Sequence, residues 1–415
     1  MIQARLFLLL VLLLLCPCYS LSSNASFNGE ISLHINPSKF QYALIDDNLT
    51  HWLRATSTSN GFYQTNLNRR WTPYGEQTAT LVSQTRLLYV LGVGYELTGN
   101  EAYREAVIRG ADFFLKYFHD NKYNGWYWRV SPQGKVLDDH KYTYGHAFAV
   151  FGLSHAYRVT KDSRYRQAAL DTWQLIKTKL RDSNGGYVTE ADRAFVKHKS
   201  ARSQNPIMHL FEAILELYDA TGQPAILKDA EDIEEFVINK LYQPKNGWIP
   251  ELYNAEWQPL PQDQGGYVDI GHQFEWSYLL SRAVEVGIPA ELLNIGERLL
   301  NTAMKLGYNA TTGSISNTLG YDKHIQDAGT GWWQQCELIR SLMRYATLHK
   351  RDDLWTQLDK ALFFADRTLI DHEYGGWYPN AAGEVNKGSV WKVGYHVAGM
   401  YSEGLKLTGY YAKID

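Results

Sequence analysis

The chain has 415 residues and 45% hydrophobic content, enough to bury a large core, which excludes disorder over most of its length. Its 41 Lys and Arg against 44 Asp and Glu give a net charge of −3 with no basic block, so the chain has no means of neutralising a run of phosphates and nucleic acid is excluded as a partner. The 57 aromatic residues (13 Trp, 29 Tyr, 15 Phe) must go into the core or into a pocket that stacks on rings, and a small neutral ligand fits the charge balance.

Arg5, the apolar run Leu6–Leu15, Pro17 and the small Ser20 have the layout of a secretory signal peptide, too short to span a bilayer. Residues 1–20 are therefore read as a signal, 21–37 as an N-terminal extension and 38–415 as one domain. The mature protein is expected to be exported, periplasmic or secreted, with no membrane attachment. Cys16 and Cys18 leave with the signal; Leu15 and Pro17 are poor neighbours for a lipidated Cys. Cys336 then stands alone and no intrachain disulfide can form. Asn24, Asn48 and Asn309 begin Asn-x-Ser/Thr sequons, which matter only in a glycosylating host.

A short motif recurs along the rest: Gly61-Phe62-Tyr63, Gly125-Trp126-Tyr127, Gly186-Tyr187-Val188, Gly247-Trp248-Ile249, Gly313-Ser314-Ile315 and Gly376-Trp377-Tyr378, at intervals of 64, 61, 61, 66 and 63 residues. Six units of similar length are the signature of a repeat architecture. Between the motifs apolar residues recur at three and four spacings, which predicts helices near 38–55, 77–98, 101–119, 143–160, 163–181, 205–221, 224–241, 271–287, 289–306, 331–349, 352–371 and 394–409. Gly99 and Gly222 supply C-terminal stops, and Asn-Gly at 124, 184 and 246 marks hairpin turns. Twelve helices in six pairs predict an all-α (α/α)6 barrel with short β-hairpins at one end.

The helices that follow the long hairpin loops should form the inner ring, yet they carry groups that are costly to bury: Arg86, Tyr144 and His146, Asn205, His209 and Glu212, His272 and Glu275, Trp332 and Trp333, and Trp391 with His396. Apart from Arg86 these fall at or near helix starts, so they converge on one mouth of the barrel. Taken singly, each has a structural explanation, such as Arg86 pairing with Glu212 or Glu275; their collection at one end favours a site. His209 with Glu212 and His272 with Glu275 share His-x-x-Glu spacing, which puts both side chains on one helix face. Soft ligands and the metalloprotease pattern are absent, so the expectation is that each Glu orients its His, with no metal bound.

NPIMHLFEA, GHQFEW and the Trp391–His396 segment together make the chain resemble the N-acylglucosamine 2-epimerase superfamily, in the branch of mannose isomerases, sulfoquinovose isomerases and cellobiose 2-epimerases. The resemblance runs from about residue 40 to the C-terminus. It implies an (α/α)6 barrel that interconverts free sugars, with no redox cofactor and no required metal. It further implies that His272 and His396 are the general acid/base pair and Glu275 a supporting carboxylate. By the same resemblance Arg86, Tyr144, Asn205, His209 and Glu212 bind substrate or carry protons, and Trp391 with Trp332 or Trp333 holds the sugar. His146 stands where relatives often carry Gln, and the export signal departs from a mostly cytosolic family.

Histidine suits proton transfer at C2 of an aldose, because its pKa lies near working pH. One of His272 and His396 would open the ring and act as base, and the other would return the proton, with Arg86 stabilising the enediolate. The expected partner is a sugar and the expected assembly a monomer or homodimer. The alternatives are an (α/α)6 glycoside hydrolase or lyase using two of Glu251, Asp269 and Glu275, or a glycan-binding protein without chemistry.

Overall fold

The computed structural model describes residues 34–410, so the signal-peptide reading, Cys16, Cys18 and Asn24 lie outside the described residues. Among the described residues twelve helices alternate between an outer and an inner ring. The first, α1 (Pro37–Leu44), runs through a π-helical turn (Ile45–Leu49) into Thr50–Thr56; then come α2 (Leu81–Thr98), α3 (Glu101–Tyr117), α4 (Thr143–Thr160), α5 (Ser163–Leu175), α6 (Gln204–Thr221), α7 (Pro224–Phe236), α8 (Ile270–Glu285), α9 (Leu292–Gly307), α10 (Trp332–Leu348), α11 (Trp355–Thr368) and α12 (Tyr395–Leu407). Each even-numbered helix packs on the next, and α12 returns to α2, closing the inner ring. Each inner helix also carries the outer helix that follows it, while α1 packs on α12 and completes the outer ring. The inner helices are buried nearly all round, as in α2, whereas an outer helix such as α9 buries one stripe. Among the described residues no helix is long and apolar enough to cross a membrane.

The tight joints follow local chemistry. Gly99 and Gly222 end α2 and α6 in the left-handed region (φ 63° and 64°), and Asn100 opens α3 by accepting from the Ala102 N–H at 3.0 Å. The expected start of α2 at 77 is displaced because Ala79–Thr80 is a strand, after which the Thr80 hydroxyl caps the helix by accepting from the Ser83 N–H at 3.1 Å. The extension reaches the barrel at His34, whose ring stacks on Trp355 and bonds Asp359 at 2.9 Å. Asn48 is buried against the Ala43 carbonyl and cannot accept a glycan; Asn309 is exposed.

At the other end of each pair, the six repeat glycines all have positive φ, from 63° to 89°. Their motifs fold back on the preceding outer helix through matching bridges: Ser57 with Tyr63, His119 with Trp126, Arg181 with Tyr187, Gln243 with Trp248, Tyr308 with Ile315 and Ile370 with Trp377. Ile315 makes the bridge in the fifth unit, so that hairpin forms without an aromatic at Ser314. A second ring of short antiparallel pairs joins each inner-helix start to the next unit: Ala79–Thr80 with Arg129–Val130, Lys141–Tyr142 with Glu190–Ala191, Arg202–Ser203 with Leu252–Tyr253, Val268–Asp269 with Thr318–Leu319, and Gly331 with Asn380. Leu67 with Gly388 closes that ring.

Buried ion pairs lock these hairpins. Asp120 lies 3.1 Å from Lys141 and 2.8 Å from Arg193, and Asp371 meets Lys387 at 2.7 Å and Arg69 at 2.9 Å. Burial alone would raise the Asp120 and Asp371 pKa values, but these cations and backbone N–H groups outweigh it and hold both carboxyls well below the usual range. A depressed folded-state pKa contributes stability above the unfolded value, roughly 3.9, that is lost as pH falls through the folded one. Asp120→Ala should therefore cost about 3–5 kcal/mol by stranding Lys141, with Lys141→Met in the same chain recovering part of it. Thermal unfolding from pH 7 to pH 2 should show that the variant loses part of the wild-type acid dependence.

Candidate active site

The inner-helix starts open on a cavity of about 480 Å³ whose lining includes Arg86, Tyr144, Asn205, His209, His272, Glu275, Trp332, Trp333, Trp391 and His396. Ten of the twelve residues expected from sequence thus meet in one place. Glu212 stands behind the wall, where it bonds His209 Nδ1 at 3.0 Å and accepts from the Tyr395 hydroxyl. His146 does not reach the cavity. It is fully buried, with Nδ1 on the Tyr142 carbonyl at 2.9 Å and Nε2 accepting from the Trp126 N–H at 3.2 Å, so it holds the Gly125-Trp126 hairpin in place of contacting a hydroxyl.

His272 enters on the first turn of α8, where Asp269 caps the helix by accepting from its N–H at 3.1 Å. Its partner is not Glu275, as the His-x-x-Glu spacing suggested, but Glu251 from the preceding hairpin, 2.8 Å from Nδ1. Ser203 and Gln204 also donate to Glu251, at 3.2 and 2.9 Å, and Trp276 Nε1 fixes Gln204. Burial lowers the pKa of His272, but the charges of Glu251 and Asp269 and the hydrogen bond to Glu251 outweigh it, raising it to about 10. At neutral pH this imidazole is a cation, with Nδ1 on Glu251 and Nε2 left for a ligand.

His396 has the opposite character. Nδ1 lies 2.8 Å from Glu337 of α10, yet burial, Arg86 and His209 hold its pKa well below the ordinary value, so it is neutral at pH 7. Trp333 touches both rings, with centroids 4.9 Å from His272 and 5.5 Å from His396. One cavity therefore holds a charged and a neutral imidazole, set apart by their surroundings.

Arg86 is buried and makes no salt bridge to Glu212 or Glu275. It donates to the Tyr144 hydroxyl at 2.9 Å and the Trp391 carbonyl at 3.4 Å, and lies over the rings of Phe148 and Tyr395 at 4.2 and 4.6 Å, leaving Nε unpaired. A guanidinium without a carboxylate is placed to receive a developing oxyanion. Trp391, half exposed at the rim, and Trp332 complete the aromatic lining. Glu275 is buried with neither oxygen hydrogen-bonded; burial and the nearby Glu337 and Glu212 raise its pKa well above the carboxylate range. The sets His209–Glu212–Glu275 and Glu275–Glu337–His396 each bring donor atoms within 4.8 Å. Each contains a hydrogen-bonded His–Glu pair, the chemistry of a proton network, and no metal is assigned to them. Glu251 and Asp269, which a hydrolase would need free, are both tied to His272.

Residues 61–399 match the family profile of N-acylglucosamine 2-epimerase (GlcNAc 2-epimerase). The chain belongs to the N-acylglucosamine 2-epimerase family. It is 25% identical over 386 residues to cellobiose 2-epimerase of Dictyoglomus turgidum, covering 86% of this chain and 94% of that one. It is likewise 25% identical over 349 residues to D-mannose isomerase of Marinomonas mediterranea, covering 80% and 88%. The structure of cellobiose 2-epimerase from Spirochaeta thermophila has the same fold, with a TM-score of 0.80 at 21% identity over 95% of this chain and 99% of that one. The protein is thus an enzyme, a sugar epimerase or isomerase of the N-acylglucosamine 2-epimerase family.

Sequence reasoning passed over Glu337 and named Glu251 only as a carboxylate for the hydrolase alternative, not as the partner of His272. Glu251 lies 21 positions before His272, and only the cross-unit strand pairing brings it near. Glu337 carried a readable signal, a lone acid one turn beyond Trp333 in the otherwise buried α10. Replacing Glu251 by Gln removes the largest influence sustaining the His272 cation. Its pKa should fall from about 10 towards the ordinary 6.5, read by NMR titration of the imidazole.

Proposed function

We propose that this cavity takes a free aldose and moves the hydrogen at C2 through an enediolate, with His396 as base and His272 as acid. The observation that carries the reading is the opposed ionisation of two imidazoles in one aromatic-walled cavity. Once the ring has opened, neutral His396 removes the C2 proton through Nε2, and the charge moves to O1. Arg86 and the Nε2–H of His272 meet that oxygen. Returning the proton from His396 to C1, while the O2 hydroxyl proton passes to O1, yields the ketose. Delivery from His272 to the other face of C2 yields the epimer, after which exchange with solvent restores the two protonation states. Trp332, Trp333 and Trp391 hold the open chain during transfer. The names of the relatives make mannose and cellobiose the first sugars to try, with glucose beside them, and the leader-like first 20 residues favour a reaction outside the cytoplasm.

Incubation in heavy water should place deuterium at C2 of the accepted aldose; no exchange with any of these sugars counts against the mechanism. His396→Asn and His272→Asn should each lower kcat by about 10²-fold or more, and turnover within a few-fold of wild type would refute the assignment. Arg86→Gln should cost about 10²-fold in kcat with a smaller change in KM. The pH profile of kcat/KM should be flat through neutrality, falling in acid below 6.5 as His396 gains a proton and in alkali near 10 as His272 loses one.

A further inference from the structure

Beneath the cavity, on the side away from the mouth, lies Arg340 of α10. It does not line the catalytic cavity; it lines a small polar space ringed by residues such as Glu96, Arg158, Arg282 and Glu403. Its guanidinium lies flat on Tyr278, 3.6 Å from the ring centroid, and its Nη1 is 3.6 Å from Glu337 Oε2. Gly399, one turn beyond His396 on α12, lies against it, close enough that a Cβ there would touch the guanidinium carbon at 3.4 Å. The other oxygen of Glu337 is the one that holds His396. Glu337 Oε2 has no hydrogen bond, and neither does either oxygen of Glu275 across from it.

We propose that Arg340 is a positioning residue for the base: it keeps Glu337 rather than Glu275 anionic, so that Glu337 accepts from His396 Nδ1–H and leaves the Nε2 lone pair facing the sugar. Two buried carboxyls this close do not both stay charged, and a proton must reside on one of them. If it sat on Glu337, the acid would donate to Nδ1, the ring hydrogen would move to Nε2 and the base would be lost. Arg340 is the cation paired with Glu337, while Glu275 has no ion pair other than its 4.0 Å approach to His209. The groups that face this pair are Glu275 and His272 from α8, His209 and Glu212 from α6, Arg86 from α2, and Tyr395 and His396 from α12. Burial raises Glu337 above the ordinary carboxylate value, and Arg340 is the strongest influence opposing that rise.

The inference rests on His396 being the base, but its central test does not need turnover. In 15N-histidine-labelled protein, with the His396 signal assigned through His396→Asn, wild type should show the Nδ1–H tautomer and Arg340→Gln the Nε2–H tautomer. Arg340→Gln should also lower kcat by about tenfold or more with KM within about twofold. Its acid limb should move up by at least about one pH unit, because Glu337 then ionises only at higher pH. Arg340→Lys, which keeps the charge, should restore most of both, and serves in place of the Gln variant should that one fail to fold. An unchanged tautomer and acid limb in Arg340→Gln, or in Arg340→Lys no recovery at all, would overturn the proposal. A switched tautomer alongside full activity in His396→Asn would instead leave Arg340's role standing and remove His396 as base.

Discussion

A carboxylate taken out of water needs a partner, and at four places in this barrel that partner comes from another segment of the chain. Asp120 meets Lys141 and Arg193, Asp371 meets Lys387 and Arg69, Glu251 meets His272, and Glu337 meets His396. The first two pairs clamp hairpins, and the last two hold Nδ1 of the imidazoles that face the cavity. The same physical requirement thus serves both stability and chemistry. Removing either member strands the other in a medium that will not solvate it.

The two histidines show how far environment alone can separate identical side chains. Both present Nδ1 to a buried Glu. His272 has a second carboxylate, Asp269, at its own helix start, whereas His396 looks towards Arg86 and His209. The sum of neighbouring charges, more than the one hydrogen bond, decides which ring is the cation.

Much of this was legible beforehand because it rests on short-range rules. The six glycines at intervals near 63 residues are each required by a left-handed turn, and at Gly61 and Gly313 also by backbone carbonyls about 2 Å from where a Cβ would sit. Helix periods then supplied the rings, and polar residues at inner-helix starts supplied most of the cavity. What escaped depended on geometry between units. Glu251 reaches His272 across a strand pair, His146 turns outward to a hairpin because its i−4 carbonyl and the Trp126 N–H claim both ring nitrogens, and Arg86 finds hydroxyl, carbonyl and rings where an acid was expected. A one-dimensional spacing rule ranks the partner on the same helix first, although the nearer group often comes from the next strand.

The ring also has a seam. Helix α2 belongs to the first unit and α12 to the last, and Arg86 donates to the Trp391 carbonyl across 305 positions of sequence, in the loop that leads into His396. The first and last units of the ring therefore meet at the cavity. No partial stack of repeats, however well folded, brings Arg86 beside Trp391 and His396, so the cavity is complete only after this long-range contact has closed. The cavity is thus a product of ring closure and of no single repeat.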